Sequence, residues 1–371
     1  MLNLTRREWL QRGLAAAVVA ATARFPNAQA DTPAPPISRA RKPLDILVLG
    51  GTGFIGPNQI EYALARGHRV TMFNRGRTAA GMYGNSVENL IGDRDTRVGN
   101  GLKALEGTRR WDAVIDNSGY VPRHVRDSAQ LLHGRVDRYL YISSTASYAP
   151  GGAAPLDERS PLIQLSDLSD ERRTSASYGP FKAAGDQIVR TTYGKAATAV
   201  RPTFIVGPGD TGGFTYWVDR VSAGGDVLGP PDPGKEMRWV DVRDLCPWVV
   251  TLLENDVSGA FNASAPTSVV TWEAGLHAMA TAVEAPPLKL HSPSAEVVRD
   301  LRINLPLAMY AGADGHIVSD ASRRAGLKYR PLAETTRGVL EWWKGQPAST
   351  REGAAARWPS RELEGRAIAR S

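Results

Sequence analysis

The chain of 371 residues has almost no cysteine: Cys246 stands alone, so no intrachain disulfide can form. Long apolar runs are also missing. The stretch from Gly13 to Ala23 is too short and too weakly hydrophobic for a membrane span, which needs about 20 apolar residues. No basic run is dense enough to follow a nucleic-acid backbone, so nucleic acid is not an expected partner. The histidines, including His68, His124 and His277, lack metal-ligand spacing, and no metal is expected. No internal repeat is present, which excludes solenoids and propellers. What remains is a chain long enough for one large domain or two associated ones with a substantial core.

The opening segment is organised in zones. Thr5-Arg6-Arg7-Glu8-Trp9-Leu10-Gln11 resembles the twin-arginine export signal, with Trp9 in place of the usual Phe and Gln11 in place of Lys. An alanine-rich apolar run follows, and Ala28-Gln29-Ala30 offers a small-residue cleavage site before Asp31. An uncleaved amphipathic helix or membrane anchor is the alternative reading. Cleavage would remove four arginines and one glutamate, taking the formal charge from +7 to +4. A disulfide-free exported protein fits one that folds in the reducing cytosol before leaving. The expected location is therefore the periplasm, with the twin-arginine machinery as a partner and no stable membrane insertion after cleavage.

Residues 31–42 are Pro-rich and polar and read as a flexible tether. Beyond them short apolar runs alternate with helical patterns, which predicts an α/β fold: a doubly wound parallel sheet of the Rossmann type with a smaller discontinuous substrate lobe. Candidate strands are Asp45–Leu49, Arg69–Asn74, Asn89–Ile91, Ala113–Asp116, Arg138–Ser143 and Ala197–Val206. Ile60, Ala63 and Leu64 mark a helical stripe that Gly67 is placed to end. The dinucleotide-binding domain is expected over 43–210, with 237–262 returning to it. Residues 211–236 and 263–343 would form the lobe, and 344–371 a terminal segment that is either a peripheral helix or a disordered tail.

The first strand runs straight into Gly50-Gly51-Thr52-Gly53-Phe54-Ile55-Gly56. Glycines alone mark ordinary turns. Here a strand precedes them, an amphipathic helix follows, and a second strand comes about twenty residues later. That arrangement presents the helix N-terminus to a pyrophosphate. At the end of strand two a carboxylate would favour an unmodified ribose. This chain has Asn74, Arg75 and Arg77 instead, and guanidiniums suit a 2′-phosphate. NADP is thus the expected cofactor and NAD the alternative; the two arginines also read as plain solvated loop residues.

Tyr178 and Lys182 stand four apart, on one face of a helix. With 11 tyrosines in the chain, such a pair is modest evidence by itself. Upstream, Tyr141-Ile142-Ser143-Ser144-Thr145-Ala146-Ser147-Tyr148 is a strand ending in hydroxyls. Together with Val200-Arg201-Pro202-Thr203-Phe204-Ile205-Val206-Gly207-Pro208, Trp239-Val240-Asp241-Val242-Arg243-Asp244 and Gly259-Ala260-Phe261-Asn262, these motifs resemble the extended short-chain dehydrogenase/reductases, the NAD-dependent epimerase/dehydratase family, from about Leu44 to Trp343. The resemblance implies Tyr178 as acid/base and Ser144 as hydrogen-bond donor to the substrate oxygen. It implies Lys182 as a ribose-binding group whose ammonium, with an oxidised nicotinamide, favours phenolate. It implies further cofactor contacts from Asp93, Ser118, Gly119 and Thr203. Asp241, Arg243 and Asp244 read equally well as structural, tying the lobes together. Phe214, Tyr216 and Trp217 read either as a stacking surface for a sugar-like ring or as lobe packing.

One departure from the family pattern stands out. Its dehydratases carry Asp-Glu where this chain has Thr145-Ala146, which disfavours water elimination. The implied function is an NAD(P)-dependent epimerase or oxidoreductase acting on a hydroxyl or carbonyl centre of a sugar-like small molecule. The alternatives are a carbonyl reductase, or a relative that only senses dinucleotide or binds RNA. A homodimer is compatible with all of these.

Overall fold

The computed structural model describes residues 37–77, 81–151, 155–265, 268–307 and 316–371. The export signal expected over residues 1–30 and the first half of the tether lie outside them. In chain order the elements are β1 (Asp45–Leu49), α1 (Ile55–Ala65), β2 (Arg69–Asn74), β3 (Glu88–Ile91), β4 (Trp111–Asp116), α2 (Pro122–Leu132), β5 (Val136–Ile142), α3 (Ser175–Tyr193) and β6 (Ala197–Pro202). Then come β7 (Ile205–Val206), α4 (Gly213–Ser222), β8 (Gly225–Leu228), β9 (Val240–Asp241), α5 (Val242–Glu254), β10 (Gly259–Ala263), α6 (Trp272–Ala282) and β11 (Leu288–His291). Five more helices follow: α7 (Ala295–Asp300), α8 (Asp320–Arg324), α9 (Leu332–Lys344), α10 (Ala348–Ala355) and α11 (Arg361–Ile368).

Seven strands form a parallel sheet in the order β10-β6-β5-β4-β1-β2-β3. The chain leaves β1 for β2 on one side and later returns to β4 on the other. The crevice above β1 and β4 is therefore the switch point where such sheets bind ligands. Successive side chains of β1 alternate between the two faces. Ile46 and Val48 join Ile60, Ala63, Leu245 and Val249 under α1 and α5. Leu47 and Leu49 join Val125, Ala129, Tyr139 and Val189 under α2 and α3. Burial on both faces explains why β1 reads as a continuous apolar run.

The strand expected over Ala197–Val206 is two strands. β6 ends at Pro202, which has no N–H to donate, and Thr203 still reaches β10 through its N–H to Ala263 O at 3.0 Å. Ile205 and Val206 then leave the main sheet as β7 and pair with β9. The tether is less free than its composition suggests. Ala40 N–H donates to Arg66 O at 2.8 Å, and the Arg66 guanidinium bonds Ser38.

The lobe packs around Phe214, Trp217, Trp272, Leu276, Met279 and Val339. The terminal segment forms the two helices α10 and α11. Glu364 on α11 is buried and takes hydrogen bonds from Tyr216 Oη at 2.8 Å and Arg220 Nε at 2.7 Å.

Candidate active site

The site is assembled at the carboxyl ends of β1, β2, β4 and β5. Gly50 leaves β1 with φ +89°, and its N–H donates to Phe73 O at 3.0 Å. A Cβ there would lie 2.7 Å from Ser118 Cβ, and one on Gly56 would lie 2.5 Å from the Gly51 backbone. Both positions are closed to any side chain, which holds the loop against β4 and presses α1 onto it. Gly53 differs: a Cβ there would meet no described atom within 4 Å. It faces open space beside the start of α1. No side chain caps that end of α1, and no acidic residue occupies its first turn. Thr52, Phe54 and Ile55 are half-buried around it. Free N–H groups with the positive end of the helix dipole, next to an opening that any side chain would narrow, fit a pyrophosphate.

At the end of β2, Asn74 is occupied locally. Its Oδ1 accepts from Gly76 N–H at 2.6 Å, and its Nδ2 donates to Asn89 Oδ1 at 2.8 Å. Arg75 and Arg77 are exposed, and neither makes a hydrogen bond or ion pair to a described residue. Asp93 is half-buried after β3, with Oδ1 accepting from Asp95 N–H at 2.9 Å.

Beneath the β4 end lies a network that the sequence reading missed. Arg94 is buried and grips Asp116 at 2.6 and 2.9 Å, while also donating to Ser118 Oγ, Ser128 Oγ and His124 O. Tyr139 Oη donates to the same carboxylate at 2.8 Å. Burial pushes the Asp116 carboxyl up, but the Arg94 charge, the hydrogen bonds from Arg94 and Tyr139 and the Lys182 charge together outweigh it and hold the group below its ordinary value. The pair fixes Ser118, whose N–H also donates to Asp116 Oδ1 at 3.1 Å. The arginine and the aspartate are 22 positions apart, and no spacing rule links them.

Helix α3 begins with a capping box, Thr174 and Ser177 bonding each other's backbone N–H. A Cβ at Gly179 would lie 2.3 Å from Ala146 O, so this glycine lets the helix press against the turn after β5. That contact brings Tyr178 beside Ser144, whose hydroxyl acts on the phenol by favouring its ionised form. Ser144 Oγ also accepts from Ala146 N–H at 3.1 Å. Tyr178 is 41% exposed, open to an incoming molecule. Burial of its phenol nevertheless raises the pKa above its ordinary value; the Ser144 hydroxyl opposes this and Tyr120 adds to it.

Lys182, one turn on, is 2% exposed. Its Nζ donates to Ile142 O at 2.7 Å and Gly119 O at 3.2 Å, and lies 4.7 Å over the Tyr120 ring and 4.9 Å over Tyr141. Burial lowers its pKa to about 8, against the attraction of Asp116. The ammonium is thus directed at two carbonyls, while burial is the largest influence on the Tyr178 phenol. Tyr120 was also missed. Its ring packs against both Lys182 Nζ and the Arg173 guanidinium, 4.7 and 4.8 Å from its centroid.

Other expectations sort cleanly. Gly119 O is shared by Lys182 and Tyr141 Oη, so this residue belongs to the site. Thr203 stands at the β6 end, its Oγ1 turned to Ala263 O at 3.4 Å. Asp241 caps α5 and holds Arg243 at 2.7 Å, while Asp244 holds Arg330 at 2.8 Å; these are structural ties. Phe214, Tyr216 and Trp217 are at most 3% exposed and form lobe packing. Among the described residues no cluster of His, Cys, Asp and Glu has metal-binding geometry.

The family model described as NAD dependent epimerase/dehydratase matches residues 46–264. The chain is 23% identical over 224 residues to the chloroplast stem-loop binding protein of 41 kDa b of Arabidopsis thaliana, covering 57% of this chain and 55% of that protein. It is 26% identical over 265 residues to the epimerase family protein SDR39U1 of Bos taurus, covering 65% and 81%. To the 3-beta-hydroxysteroid dehydrogenase of Mycolicibacterium neoaurum it is 27% identical over 199 residues, covering 48% and 52%. The chain thus spans about half the length of the first and third of these. Two solved structures share the fold. The Bordetella bronchiseptica enzyme WbmG in complex with NAD has TM-score 0.61 at 17% identity, over 82% of this chain and 95% of that one. The dTDP-glucose 4,6-dehydratase of Bacillus anthracis, also with NAD, has TM-score 0.62 at 15% identity, over 84% and 99%. The family match extends over more than half the chain and includes the glycine loop, Ser144, Tyr178 and Lys182, and on that ground the protein belongs to the NAD dependent epimerase/dehydratase family.

Proposed function

We propose that this chain is an NADP-dependent epimerase or oxidoreductase acting at a hydroxyl or carbonyl carbon of a sugar-like small molecule, exported folded to the periplasm. The observation that carries the reading is the placement of Tyr178 beside Ser144, where Gly179 presses α3 against the turn after β5, on the same sheet edge as the open glycine loop and one helical turn from buried Lys182. Bound there, the dinucleotide would supply the hydride acceptor and donor. Tyr178 Oη moves the proton at the substrate oxygen. Because burial raises its pKa, the phenol is protonated near neutral pH and ready to act as acid. Ser144 Oγ donates a hydrogen bond that holds the same oxygen. Lys182 ties the carbonyls after β4 and β5 together and so fixes the floor between them.

Arg75 and Arg77 support NADP over NAD: two unpaired guanidiniums follow a neutral Asn74 whose amide is already engaged. With Thr145-Ala146 after Ser144, water elimination lacks its acid and base, which favours epimerisation or simple redox chemistry. Export after folding lets the chain carry its cofactor out of the compartment that makes it. A reaction that removes and returns a hydride then needs no outside reductant.

The test has two arms. Protein purified from the periplasmic fraction is denatured and its released small molecules weighed by mass spectrometry; NADP(H) is expected, and its absence rejects the carried cofactor. Hydride exchange is then compared with Tyr178→Phe, which is expected to lower it about 10²- to 10⁴-fold. Undiminished exchange rejects Tyr178 as acid/base. The name of the Arabidopsis relative favours a second reading, stem-loop binding without turnover. A stem-loop RNA retained by a chain with no hydride exchange would support it.

A further inference from the structure

A cavity of about 800 Å³ opens behind the β10 edge, between α6, the turn after α8 and the start of α9. None of the residues assigned above to cofactor or catalysis lines it. Trp239 and Leu327 are buried in its wall, each 3% exposed. Tyr329 is half-buried beside them, its Oη accepting from Ser264 N–H at 3.2 Å. The rim is of one sign. Arg323, Arg324 and Lys328 are exposed on it against a single carboxylate, Asp320, which Arg323 holds at 3.3 Å. Arg324 and Lys328 have no hydrogen bond or ion pair to any described residue. Arg330 also lines the cavity, but its guanidinium is committed to Asp244 and Glu334 at 2.8 and 2.9 Å.

We propose that this cavity is a second small-molecule site, for an organic anion that combines a flat apolar body with a carboxylate or phosphate. Its volume lies within the roughly 300–1,000 Å³ of small-molecule sites, and its lining divides into an apolar wall that includes Trp239, Val270, Leu327 and Leu332 and a charged rim. Two cations on the rim, Arg324 and Lys328, are uncommitted among the described residues. An anion there would gain charge-assisted hydrogen bonds without breaking an existing ion pair, while its body displaced water from Trp239, Leu327 and Tyr329. The inference is independent of the role given to Tyr178.

The test is titration of the full chain with 1-naphthyl phosphate, followed by calorimetry with and without saturating NADP. One saturable site per chain is expected, unaffected by NADP. Arg324→Ala combined with Lys328→Ala should weaken it about tenfold, as loss of charge-assisted bonds does, and Ala278→Trp should abolish it. Ala278 lines the cavity from the exposed side of α6, so the added indole fills space without entering the core. Circular dichroism checks that both variants remain folded. Inorganic phosphate and 1-naphthol should each bind far more weakly. Absence of saturable binding, competition by NADP, or full binding in both variants would overturn the proposal. So would equal affinity for either half of the ligand.

Discussion

Lys182 is the residue where burial and charge conflict most openly. It is fully enclosed, its pKa lowered to about 8 by burial, while unfolded it returns to about 10.4. Between these values the unfolded chain binds the extra proton, so stability contributed by this residue rises with pH through that window. Below pH 8 both states are charged, and the folded one carries the desolvation penalty. Denaturant midpoints from pH 7.5 to 10.5 should therefore rise more steeply for the native chain than for Lys182→Met, by a few kcal/mol at most. Parallel curves would contradict the burial argument. Asp116, Arg94 and Arg173 are the charged groups that act on this lysine, and all three are present in both chains. At the opposite end of the site, Arg75→Ala and Arg77→Ala should each reduce the preference for NADP over NAD about tenfold, the scale of one hydrogen bond to a charged group. Equal losses for both dinucleotides would remove the 2′-phosphate from the proposal.

At the scale of elements, the strand–loop–helix junction makes two glycines unequal. Gly53 borders open space, whereas Gly56 touches the Gly51 backbone. Gly53→Ala should leave stability within about 0.5 kcal/mol yet weaken dinucleotide binding, because its methyl enters the opening. Gly56→Ala should lower stability by about 1–3 kcal/mol by forcing α1 off the loop. Thermal unfolding together with dinucleotide titration separates the two; the reverse pattern would mean that the opening is not the binding surface. The packing of α3 against the turn after β5 follows the same logic, since Gly179 is what lets Tyr178 reach Ser144.

At the scale of the molecule, the last helix closes the lobe electrostatically. Arg220 and Glu364 are 5% and 3% exposed and 144 positions apart. Glu364→Ala would leave a buried guanidinium without its partner, which costs about 3–5 kcal/mol. A lowered urea midpoint is expected, and an unchanged one would mean that α11 is peripheral. Two further ties, Arg330–Asp244 on α5 and Asn262 Nδ2–Val318 O on β10, join the sheet and the helix packed on it to segments that follow them in the chain.

Much of this protein is written locally. The glycine loop between a strand and an amphipathic helix, the four-residue spacing of Tyr178 and Lys182, and the hydroxyls ending β5 are legible because strand alternation and helical repeat act over a few residues. Periodicity also located β1 and β2 to the residue. Tertiary structure decided the rest. Arg94 finds Asp116, Tyr120 packs against Lys182, and Glu364 reaches Arg220 only after the topology has brought distant segments together. The same holds for the split at Pro202: that the chain leaves the main sheet there depends on β9 being available to pair with it. Burial itself, which sets the ionisation of Lys182 and Tyr178, is a property of the packed molecule and not of any segment.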